Sequence, residues 1–151
     1  MAKFIYRMQN ILDIKYKMEA QAKTSYAMAS AKLKEAGEKL EQLIIGKREL
    51  EDEYRRLAKG KIDPLKLSES RYAIDFQKEK IKAQLVEVRV AEKNLEIARA
   101  RLNEMMKDRK THEKLREHAF NEFLVEINEQ EKREIDELVS YRFGAAKEEG
   151  R

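Results

Sequence analysis

One interruption organises this chain. At Gly60, Lys61, Ile62, Asp63 and Pro64 an otherwise continuous helical pattern stops and restarts, and Pro64 is the single proline in 151 residues. Gly60 is placed to end a helix in a left-handed cap. Asp63 followed by Pro64 reads as an N-cap and first helical position, which presets the next helix. On both sides, apolar residues recur at alternating three- and four-residue spacing within highly charged sequence. Such a chain is expected to fold back once and zip against itself. The expected fold is all-α, a long antiparallel two-helix coiled-coil hairpin with a turn at about 60–64 and a longer second helix, forming a single coiled-coil domain over 1–151.

Composition supports this. Charged residues make up 41%, aromatics 7%, and there is no Trp; alternating strand patterns are absent. These are properties of long helices, whose pairing buries a seam and leaves little room for a pocket. Such a protein is expected to work by binding other proteins.

The first arm is expected over about 4–59. Its seam is Tyr26, Ala29, Leu33, Ala36, Leu40, Leu43, Lys47, Leu50, Tyr54 and Leu57. Upstream, Met18, Ala22 and Tyr26 are spaced four and four, a stutter that locally relaxes a supercoil. The second arm is expected over about 65–143, with a seam of Ile81, Gln84, Val88, Ala91, Leu95, Ala98, Leu102 and Met105. Arg109, His112 and Arg116 continue it before Ala119 and Phe123. The tail 144–151 is expected to be disordered.

A turn centred near Ile62 sets the register. Ala22, Ala29 and Ala36 fall level with the stretch containing Ala91 and Ala98, where small residues permit close helix approach. Lys15 and Glu19 fall level with Met105 and Arg109, where the second seam also turns polar. The zipper is therefore expected to be tight in the middle and looser toward the open end.

The arms are unequal. Phe4 faces about residue 120, so the stretch from Phe123 to Phe143 lacks a partner in its own chain. It carries Phe123, Leu124, Ile127, Ile135, Leu138, Val139 and Phe143. This is either a docking surface for another protein or a site of self-association or of curling back onto Phe4, Ile5 and Met8. At the tip, Tyr54, Tyr72 and Phe76 either close the zipper or present a partner surface, since aromatics are enriched at binding hot spots.

Other chemistry is poorly supported. The chain lacks cysteine, which removes disulfides, thiolate metal sites and a Cys nucleophile. His112 and His118 are six apart and lie on different helix faces, unsuited to sharing a metal. No glycine-rich phosphate loop is present. No cofactor, metal or catalytic role is expected. The 33 basic and 29 acidic residues are interleaved like solvated helix faces. The denser basic stretch of Lys107, Arg109, Lys110, Lys114 and Arg116 is interrupted by Asp108 and Glu113, so no nucleic-acid partner is expected. The longest uncharged stretch, Thr24 to Ala31, is too short to span a membrane, so no membrane insertion is expected. The N-terminus, with Lys3 and Arg7, lacks the pattern of a secretory signal.

Three stretches resemble FliJ proteins of the bacterial flagellum. They are the opening Phe4, Ile5, Tyr6, Arg7, Met8, Gln9, Asn10, Ile11, Leu12, Asp13, Ile14 and Lys15; the run Tyr72, Ala73, Ile74, Asp75 and Phe76; and the run from His118 through Phe120, Phe123 and Ile127 to Glu137. The resemblance spans nearly the whole chain, including its length and turn. It implies a cytoplasmic, membrane-peripheral component of the flagellar type III export apparatus. It also implies a hairpin similar to the central stalk of rotary ATP synthases. Implied partners are the export ATPase FliI, the cytoplasmic domain of the export gate protein FlhA, and export chaperones. By that analogy the open end, with Phe4, Met8, Phe123, Leu124, Ile127, Ile135, Leu138 and Phe143, enters the ATPase ring. The hinge end, with Lys47, Leu50, Tyr54, Tyr72, Phe76 and Lys80, faces the gate. The turn would then set two binding ends apart by the length of the hairpin. A coiled-coil spacer or holdase-type chaperone without an ATPase partner is the alternative.

Overall fold

The computed structural model describes residues 2–150, apart from the side chain of Glu149. It consists of two helices, α1 over Gln9–Leu57 and α2 over Pro64–Glu149, paired as a helical hairpin with the second helix longer.

The turn follows its sequence chemistry. The end of α1 is followed by hydrogen bonds from Ala58 N to Tyr54 O (3.0 Å) and from Lys59 N to Arg56 O (3.3 Å). Gly60 has φ of 84°, a region that costs an L-residue roughly 1–2 kcal/mol. A Cβ there would meet nothing within 4 Å, so conformation rather than space calls for glycine. Asp63 Oδ1 accepts a hydrogen bond from Leu65 N at 3.1 Å, and Asp63 O accepts one from Leu67 N at 3.1 Å. Asp63 is thus the N-cap and Pro64 the first helical residue, where a missing N–H costs nothing.

Both outer boundaries differ from expectation. α1 begins at Gln9 rather than near Phe4. Residues 2–8 contain no Ser, Thr, Asp or Asn to cap an earlier start, and a turn with Gln9 N bonded to Tyr6 O (3.2 Å) leads in instead. The tail is helical rather than disordered, because α2 runs through Gly144 to Glu149. Ala145, Ala146, Lys147 and Glu148 are strong helix formers and offset one glycine.

The chain divides into two compact units. In the unit Ala20–Glu104 the expected seam residues from Tyr26 to Leu57 and from Ile81 to Leu102 are all half-buried, while their neighbours are mostly exposed. Ala22 and Ile74 are buried. Two glutamines tie the helices together: Gln84 Nε2 donates to Ala36 O and Gln77 Nε2 to Leu43 O, each at 3.0 Å. Each uses the second lone pair of a carbonyl within α1. A Cβ on Gly46 would lie 2.9 Å from Gln77 Nε2, so this glycine makes room for the amide.

The other unit combines the N-terminal segment through Glu19 with the chain from Met105 onward. Here Leu12 is 2% exposed and Glu19 5%. Burial is therefore not confined to the middle of the seam: Leu12 and Glu19 toward the open end are as well covered as Ala22. Alanines cover little surface, and Ala29, Ala36 and Ala91 line a groove in their unit. Leu12 instead lies among long side chains, those of Tyr16, Arg116 and Phe120.

Candidate interaction surfaces

The first candidate surface lies in the unit that contains the N-terminal segment. Because residues 2–6 are not helical, the chain there can advance by about 3.3 Å per residue rather than 1.5 Å, and Phe4 reaches well along α2. Its ring meets Phe120 edge-on at 5.2 Å and Phe123 at 5.3 Å. Tyr6 stacks on it at 6.5 Å, and the Arg116 guanidinium lies 5.6 Å from its centroid. Arg116, expected in the seam, is exposed and donates to Gln9 Oε1 at 3.0 Å.

This strap corrects the extent of the unpartnered stretch. Phe123 is half-buried against Phe4, and Ile127 is half-buried as well. From Asn128 onward every described side chain is exposed. Ile135, Leu138, Val139 and Phe143 are 60%, 58%, 60% and 68% exposed. The overhang is about 33 Å of helix. Met8 and Leu124 are exposed at its base. The overhang is also acidic: Glu129, Glu131, Glu134, Asp136, Glu137, Glu148 and Glu149 outnumber Lys132, Arg133, Arg142 and Lys147.

A polar network stands beneath the strap. Arg109 grips Glu19 in two hydrogen bonds, Nε to Oε2 at 2.6 Å and Nη2 to Oε1 at 3.1 Å. It also reaches Glu113 at 3.1 Å, and Tyr16 donates to Glu113 at 2.5 Å. Lys15 pairs with Asp108 at 2.8 Å, and His112 Nε2 lies 3.8 Å from Asp108. The hydroxyl of Tyr16, with the Arg109 guanidinium, holds the Glu113 carboxyl below its usual range, and the same bond raises Tyr16. Lys15 holds Asp108 low. The Glu19 and Glu113 hydrogen bonds hold Arg109 firmly protonated. Two cations of the basic stretch, Arg109 and Arg116, are thus engaged within the chain.

The second candidate surface lies beside the turn, in the other unit. Tyr54 and Leu50 are half-buried on α1. Tyr72 and Phe76 are 74% and 54% exposed, so they do not close the zipper. Ile74, 8% exposed, takes that place. Lys80 lies 4.7 Å from the centroid of the Phe76 ring, and Lys47 pairs with Glu51 at 3.5 Å. Ile74 and Gln77 were missing from the expected seam, although each stands seven residues before a member of it, Ile81 and Gln84.

Among the described residues no cluster of His, Cys, Asp or Glu could hold a metal ion, and no helix is long and apolar enough to cross a membrane. Both surfaces consist of convex helix faces with apolar side chains, suited to docking against protein. The family model described as flagellar FliJ protein matches residues 4–148. No curated protein and no solved structure matches the chain.

Proposed function

The chain belongs to the FliJ family and is a component of the flagellar export apparatus; from that premise we propose that it is a non-catalytic, stalk-like adaptor between the export ATPase ring and the export gate. The overhang of α2 enters the ring formed by FliI. The hinge surface around Tyr54, Tyr72 and Phe76 docks on the cytoplasmic domain of FlhA. Export chaperones are escorted by the same protein, which works in the cytoplasm at the base of the flagellum.

The observation that carries this reading is the overhang. A helix end with Ile135, Leu138, Val139 and Phe143 all more than half exposed has no reason to keep them unless another protein covers them. A single α-helix of this kind can be surrounded by a ring. At the hinge, the exposed aromatic rings of Tyr72 and Phe76 are the residue type that dominates binding energy when buried by a partner.

The test is stimulation of the purified flagellar export ATPase. Leu138→Asp places a charge on an exposed site of the overhang and leaves the paired helices untouched. ATP hydrolysis is expected to fall to the rate of the ATPase alone, with the far-ultraviolet circular dichroism of the variant unchanged. Full stimulation by Leu138→Asp would remove the overhang from the ATPase interface.

A further inference from the structure

We infer that α2 carries a second, outward-facing seam on which a second copy of this chain docks antiparallel, about a two-fold axis beside Val86. The paired seam of α2 faces α1. On its outer side Phe76, Ala83, Val90 and Ile97 recur at intervals of seven residues, with Val86 completing the three–four spacing of a coiled-coil stripe. Phe76 is 54% exposed, Val86 57%, Val90 49% and Ile97 62%, and Ala83 is exposed. At one edge of the stripe Val90 borders the groove that α2 shares with Met28 and Lys32 of α1, and Val90 is still 49% exposed.

Two charges interrupt the stripe, and they identify the occupant. Glu79 lies seven residues before Val86 and Lys93 seven residues after it. An antiparallel copy centred on Val86 sets Glu79 of each chain beside Lys93 of the other. The same operation puts Phe76 next to the partner copy's Ile97, Ala83 next to its Val90, and Val86 against itself. A patch that is its own complement under a two-fold rotation is the requirement for an isologous dimer. A parallel copy would instead oppose Glu79 to Glu79 and Lys93 to Lys93. The like-charge neighbours that the antiparallel arrangement creates, Lys82 beside the partner copy's Arg89 and Asp75 beside its Glu96, are exposed and lie on a solvated rim where such terms are small. Glu79 now pairs with Lys82 at 3.3 Å, both side chains at least 70% exposed, a weak bond to exchange for the new one.

The area sets the strength. A strip about 33 Å long and about 10 Å wide falls short of the roughly 800 Å² per partner of a standard stable interface. The dimer is therefore reversible and grows with concentration. It covers Phe76, so self-pairing competes with hinge docking; that consequence rests on the functional reading above, whereas the pairing does not.

Sedimentation equilibrium of the full chain over a rising concentration series tests it. Wild type is expected to pass from monomer to dimer. Glu79→Lys and Lys93→Glu are each expected to weaken association about tenfold or more, since each meets a like charge twice, and the double exchange is expected to restore it. All these sites are exposed, so circular dichroism should be unchanged throughout. Because the chain has no cysteine, a spin label at Asn103→Cys reports direction: about 50 Å between labels for the antiparallel dimer. A chain that stays monomeric throughout, a double exchange that fails to restore pairing, or labels close together would each overturn the inference.

Discussion

In the unit that holds the N-terminal segment, the seam is built from Leu12, Tyr16, Glu19, Arg109 and Glu113, and Leu12 and Glu19 are nearly sealed from solvent. In Ala20–Glu104 the seam is built from alanines and leucines, and from Tyr26 to Leu57 it is never more than half-buried. The more polar seam is covered at least as well at Leu12 and Glu19 as the apolar one is at Ala22 and Ile74. Burial in a two-helix pairing depends on how far side chains reach across it, because no third element covers the flanks. Arg109 and Tyr16 reach across and are satisfied by Glu19 and Glu113; Ala29, Ala36 and Ala91 cannot, and they leave a groove. The cost of burying charge is offset in the first unit by paired hydrogen bonds, as a buried carboxylate requires.

Truncation of equivalent residues tests this contrast most strongly. Leu12→Ala removes a side chain that is 2% exposed and is expected to cost about 3 kcal/mol, within the usual range for buried leucine. Leu33→Ala, at a half-buried position, is expected to cost about half as much. Urea unfolding of the two variants measures the difference, and equal losses would erase the distinction between the seams.

A smaller effect separates the units by pH. Asp108 and Glu113 have carboxyls held below the ordinary value. Their contribution is complete above the unfolded pKa, near about 4, and disappears as pH falls through the depressed folded values. Protection of the amides in residues 9–19 and 105–116, relative to their intrinsic exchange rates at each pH, is therefore expected to fall as the solution is acidified below about pH 4, ahead of residues 26–57. A loss of protection of the same size along both stretches would contradict the assigned role of the network.

Much of this was legible in the residues. Every residue of the expected α1 seam from Tyr26 to Leu57 is half-buried, because a heptad phase is set by many residues at once. The turn was legible because Gly60, Asp63 and Pro64 each have a distinct local role. The ends were not: the start of α1 depends on the absence of a cap before Gln9, and the helical tail on alanine and lysine outweighing Gly144. The sites were named more readily than oriented. Tyr72 and Phe76 stand one or two residues off the seam set by Ile74, and that phase, rather than their aromatic character, leaves them exposed. For Phe123 the alternative of a contact with Phe4 is the one seen, because a non-helical Phe4 reaches farther than a helical one.

The central claim is that two separate surfaces of one hairpin serve two partners. Binding of Leu138→Asp and of Tyr54→Ala with Phe76→Ala to both the export ATPase and the cytoplasmic domain of the gate protein, measured by calorimetry, tests it most directly. The overhang variant should lose the ATPase and keep the gate, and the hinge variant should lose the gate and keep the ATPase. Loss of both partners by either variant, or of neither by both, would contradict the account.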